Sequence, residues 1–193
     1  MDAKALAESN TGIGEFVFLD NSRYDLKDEK VTLLGGTLFN LPHKGLRQSI
    51  VDYYTRYMRI GGWGAEQHFQ AHKDTCKWLL HESSDIEKED SQRAIIILSH
   101  YCPTRNWAAL GTSVMYRFTT DRKWLHRFMT QNVKLWAFGS THYNCDFIDF
   151  DNGKRFYSNQ KGFPGEINDF QVTKVVDIGP IEQIIPGFHR GGH

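Results

Sequence analysis

The sequence predicts a layered α/β fold, on three observations. "RAIIILSH" (93–100) and "VKLWAFG" (133–139) are short, nearly unbroken apolar runs, the pattern of strands covered on both faces. Stretches with apolar residues at helical spacing, 65–82 and 120–132, alternate with them. Finally, Asn152-Gly153 divides "CDFIDFDNGKRFYSNQ" (145–160) into two hairpin arms, since this dipeptide favours tight turns.

The remaining elements follow in order. "EFVFLD" (15–20) reads as a short strand. "KVTLLGGTLFN" (30–40) is a second strand running into a Gly-Gly turn. Leu46, Ile50, Tyr54 and Met58 lie at helical spacing over 45–58, and "GGWG" then stops that helix. Phe69, Cys76, Leu79 and Leu80 mark the helix over 65–82. The acidic run 82–90 reads as a solvated loop. Over 120–132, Thr120 or Asp121 caps a helix that turns Trp124, Leu125, Phe128 and Met129 inward. "DFQVTKVVDI" (169–178) reads as a final strand. The domain is expected to span 15–179, between tails at 1–14 and 180–193.

The 193 residues suit one core, which at this size buries about 70% of the surface of the unfolded chain. Basic and acidic residues number 23 each, so nothing in the charge balance favours nucleic acid. "DYYTRYMRIGGW" interleaves arginines with aromatics, as a single-strand binder would, yet an ordinary packed helix explains it better. Cys76, Cys102 and Cys145 are an odd set without a close pair, which fits free thiols in a reducing compartment. No apolar run approaches the roughly 20 residues of a membrane span, and the acid at position 2 argues against a secretory signal. A cytoplasmic protein without membrane or nucleic-acid partners is expected.

Chemistry concentrates where two strands end in histidine. "IIILSH" ends at His100, and "KLWAFG" leads through Ser140 and Thr141 to His142, with Asn144 close behind. If the strands are neighbours, both imidazoles emerge at the carboxyl edge of the sheet, where ligands collect in α/β folds. Gly139 permits the turn off the strand. Neutral imidazole is the commonest side-chain ligand of transition metals. The alternative is two loop histidines hydrogen-bonded locally. His68 and His72 also have metal-ligand spacing, four apart on a helix, but without a third ligand they read as a half-exposed helix face.

"LSHYCPT" followed by "LWAFGSTHYNCDF" resembles the last two motifs of the calcineurin-like metallophosphoesterases, in particular a fungal-type branch. "GGTLFN", "TSVMYRFTTD" and "GKRFYSNQKGF" fit the same branch in the same order, so the resemblance spans about 16–163. It implies part of a sandwich of mixed β-sheets flanked by helices, lacking the family's N-terminal strands. It also implies a metal-dependent hydrolase of phosphate esters with two ions among Mn, Fe, Zn and Mg. His100 would be a ligand of the second metal and His142 of the first, while Ser140 stands where the family has a further histidine.

The family's Asp-x-His, Gly-Asp-x-x-Asp and Gly-Asn-His-Glu/Asp motifs have no match, and with them go the bridging carboxylate and other ligands. Metal binding is therefore expected to be weak or absent and the chain inactive or incomplete alone. The alternative is a non-catalytic derivative that binds a ligand or protein. Without the N-terminal strands, a sheet edge is expected to be open to pairing with another chain.

Overall fold

A computed structural model of the chain describes residues 15–26, 28–39, 52, 56, 59–110, 127, 129–149, 152–165 and 169–179. The α/β class holds. Six strands, β1 (Ser22–Leu26), β2 (Val31–Gly36), β3 (Ala94–Ser99), β4 (Val133–Phe138), β5 (Cys145–Asp149) and β6 (Lys154–Ser158), form one mixed sheet in the order β1-β2-β3-β4-β6-β5. Strands β2, β3, β4 and β6 run parallel, and β1 and β5 close the two sides antiparallel. Helix α1 (Ala65–Glu89) crosses from β2 to β3, and a short helix, α2 (Trp107–Leu110), follows β3.

The core is a row of side chains laid across the sheet. Leu34, Ile97, Trp136, Phe156 and Phe147 stand in register on β2, β3, β4, β6 and β5, so all project from one face. Trp136 stacks on Phe156 and Phe156 on Phe147, with ring centroids 6.5 and 5.5 Å apart. Helix α1 covers this row with Cys76, Leu79 and Ile86, all fully buried.

The helix outruns its predicted end: 82–90 is helical to Glu89 rather than a loop. Ser83 and Ile86 prolong the buried stripe of Cys76 and Leu79 at helical spacing, and Ser83 Oγ–H donates back to the Leu79 carbonyl. The charges of the run lie outside this stripe. Arg23 of β1 donates to Glu89 at 2.9 Å, and Lys88 to Asp85 at 2.9 Å. At the other end, Gln67 turns its side chain back to accept from Gly64 N–H, half of a capping box.

Two predicted strands are absent. Residues 15–20 do not pair; they pass over the opposite face of the sheet, where Leu19 settles on Gly35 and Glu15 accepts from Tyr24 Oη–H. Gly35 and Gly36 therefore do not form a turn. They belong to β2, and their missing side chains admit Leu19 on one face and Asn21 and Thr75 on the other. Residues 169–178 are irregular as well, with Val172 and Val175 85% exposed. Side chains hold them in place of a ladder: Asn159 exchanges two hydrogen bonds with the Gln171 backbone, and Arg155 donates to the Asp177 carbonyl. The helices predicted over 45–58 and 120–132 fall largely outside the described residues, as do the tails.

The hairpin of β5 and β6 holds, and Gly153 supplies its left-handed residue, with φ +66°. Asp149 pairs with Lys154, which leaves four residues between the arms, so this is not the two-residue turn that Asn-Gly favours. No atom lies within 4 Å of a Cβ built on Gly153, which leaves conformation as the cost of substitution. Gly153→Val is expected to destabilise the fold by about 1 kcal/mol or more, measured by urea denaturation; unchanged stability would remove the hairpin's dependence on this residue.

Candidate functional site

The parallel arrangement gathers four strand ends at one edge. Tyr101 N–H donates to the Thr37 carbonyl, joining the ends of β3 and β2, and Gly139 N–H donates to the His100 carbonyl at 3.0 Å, joining β4 and β3. His100 and the Gly139–Asn144 loop are thus neighbours, at the carboxyl edge where sequence reading placed them. The last residues of β6 arrive at the same edge, because Ala137 pairs with Tyr157 and Cys145 with Ser158.

The two rings rest on different partners. His100 packs edge-on against Tyr101, centroids 4.8 Å apart, and His142 against Phe163 at 4.6 Å. Partial burial lowers the His100 pKa from its ordinary value, which favours the neutral ring. Beneath His100, Trp136 Nε1–H donates to Ser99 Oγ, and Ser99 Oγ–H donates to the Tyr101 carbonyl. The core row is thereby tied to the chain around His100.

The loop after β4 is bent. Ser140 has φ +68°, and Thr141 N–H donates to the Gly139 carbonyl at 2.9 Å, which makes a γ-turn of the rare positive-φ kind. His142 is left-handed too, with φ +52°. Outside glycine such residues cost about 1–2 kcal/mol each, and they cluster at functional sites. Asn144 pairs with the Gln160 backbone, donating to its carbonyl at 3.2 Å and accepting from its N–H. Gln160 Oε1 accepts from His142 N–H at 3.1 Å. Sequence reading of the residues missed Gln160; an amide side chain after a strand carries no distinctive signal.

His68 and His72 are not on a half-exposed face: both are buried. Helix α1 begins at the same edge, and His68 packs among Phe39, Trp63 and Tyr101. His72 Nδ1–H donates to the Phe39 carbonyl, which leaves Nε2 to accept from the Cys76 thiol at 3.5 Å. These two histidines brace the loop after β2 from below. The cysteines do not supply a nucleophile: burial pushes the thiols of Cys76, Cys102 and Cys145 up to about 12, far from thiolate at neutral pH.

Among the described residues, no three His, Cys, Asp or Glu side chains gather as a metal cluster. Among the described residues the two imidazoles and the serine come without a clustered carboxylate, and that set alone does not fit a dinuclear centre, whose ions need bridging and charge-neutralising oxygens. No described helix is long and apolar enough to cross a membrane.

No family profile matches the chain, and no solved structure matches it. The chain is similar to the uncharacterized protein L509 of Acanthamoeba polyphaga mimivirus, 26% identical over 183 residues, covering 84% of this chain. It spans 60% of the length of that relative.

Proposed function

We propose that this chain is a derivative of the calcineurin-like phosphoesterases, a phosphate-ester hydrolase by descent, and that it does not turn over such esters by itself. One observation supports this reading above the others. Strands β3 and β4 are adjacent and parallel, and the Gly139 N–H to His100 carbonyl bond sets the two histidine-bearing ends side by side. That is the placement the motifs "LSHYCPT" and "WAFGSTHYN" require of each other. Two unrelated loop histidines have no need of it.

The chemistry available there is limited. The imidazoles and the Ser140 hydroxyl can meet an oxyanion or a single cation, while the Asn144 amide is engaged by the Gln160 backbone. Generating hydroxide at neutral pH and aiming it at phosphorus takes carboxylate-held metal ions. The second reading, a non-catalytic module that binds a ligand or protein, draws support from Phe163, which is 67% exposed beside His142.

The test is hydrolysis of an aryl phosphate and an aryl phosphodiester with added Mn²⁺, comparing wild type, His142→Ala and Ser140→His at equal purity. Negligible turnover is expected in all three, since restoring one histidine does not restore the carboxylates. Robust turnover in wild type that collapses in His142→Ala would overturn the inactive reading.

A further inference from the structure

We infer that Gln160 is the positioning residue of the His142 loop, and that Gln160 and Phe163 together clamp His142 in place. The use of that clamp in phosphate chemistry rests on the reading above; the clamp itself does not.

The loop needs an external hold. Within three residues it contains two non-glycine positions at positive φ, Ser140 and His142, and a γ-turn between Gly139 and Thr141. Both His142 and Tyr143 are exposed, so burial of these side chains does not pin it. Thr141 is buried and its Oγ1–H donates to the Tyr143 carbonyl, and Gln160 supplies the hold from outside the loop. Gln160 Oε1 accepts from His142 N–H at 3.1 Å. Its amide NH₂ faces Ser158 Oγ at 2.6 Å, Thr141 Oγ1 at 2.9 Å and the Tyr143 carbonyl at 3.1 Å. A carboxamide carries an acceptor and two donors on one rigid plane, and here both ends are used.

Gln160 is itself fixed. Its backbone N–H and carbonyl are both taken by the Asn144 side chain, so the loop grips the residue that grips it. Ser158, at the end of β6, donates to the Tyr143 carbonyl at 3.1 Å and carries the arrangement down to the sheet. Three residues beyond Gln160, Phe163 sets its ring against the His142 imidazole. The segment after β6 thereby fixes the backbone of His142 with one side chain and its ring with another.

Nuclear magnetic resonance separates positioning from general stability. In Gln160→Ala, exchange of the His142 amide is expected to accelerate by about tenfold, and the His142–Phe163 nuclear Overhauser effect to vanish, with protection of Ile97 and Trp136 unchanged. Gln160→Glu keeps an oxygen for His142 N–H and should restore its protection, while the lost NH₂ leaves the Tyr143 carbonyl to Ser158 Oγ–H and Thr141 Oγ1–H. An unaltered His142 amide and ring contact in Gln160→Ala would overturn the inference. If Gln160→Ala loses core protection as well, Gln160→Glu decides: a folded variant whose His142 amide is unprotected overturns it equally. Neither readout involves a metal or a phosphate ester, so absence of phosphoesterase chemistry would leave it standing.

Discussion

Trp136→Ala is expected to destabilise the protein by about 3–5 kcal/mol, the range for truncating a fully buried large aromatic. Domains of this size are stable by about 5–15 kcal/mol, so the variant should be partly unfolded at physiological temperature. The reason is position. Trp136 stands at the centre of the row that runs from Leu34 to Phe147, with Ile97 and Phe156 beside it, and it has no solvent exposure. Trp136→Phe keeps most of the apolar contact and loses the hydrogen bond to Ser99, so about 1 kcal/mol should be lost. Urea denaturation measures both. A Trp136→Ala stability close to that of wild type would mean that the row is not the core.

The second large effect is expected at Gly35. A Cβ there would lie 2.4 Å from Leu19 Cβ, an atom next to the backbone that no rotamer change can move. Gly35→Val should cost about 1–3 kcal/mol through overpacking, despite valine's preference for strands. The penalty should shrink in a Leu19→Gly background, and a double-mutant cycle isolates it. A cost equal in both backgrounds would place the conflict elsewhere than in the passage of 15–20 over the sheet.

Gly35 also marks where reading from the sequence failed. A Gly-Gly pair inside an apolar run has the chemistry of a turn, and only tertiary contact shows it to be room for a crossing segment. The strand expected at 15–20 failed for the same reason: "EFVFLD" is an apolar run between two acids, but its partner is a sheet face rather than a strand edge. The acidic stretch 82–90 was misread from its charge, although Ser83 and Ile86 continue the period of the helix before it. By contrast, β3, β4 and the hairpin were legible because apolar runs and Asn-Gly report local physics. So was the adjacency of the strand ends that lead to His100 and His142, which follows from parallel pairing of two matched strands. Gln160 was not legible, because its role depends on where β6 ends relative to β4. The burial of His68 and His72 was hidden too, since helical spacing does not say which face meets Phe39.

The claim that His100 and His142 form only part of a two-metal site is tested most directly by metal content. The protein would be stripped with chelator, loaded with Mn²⁺, exchanged into metal-free buffer and assayed for manganese per chain, alongside His142→Ala. A half-site built from two imidazoles, without a bridging carboxylate, predicts well under one equivalent retained and little difference between the two proteins. Two equivalents held by wild type and lost in His142→Ala would contradict it, and would mean that other residues or a second chain complete the centre.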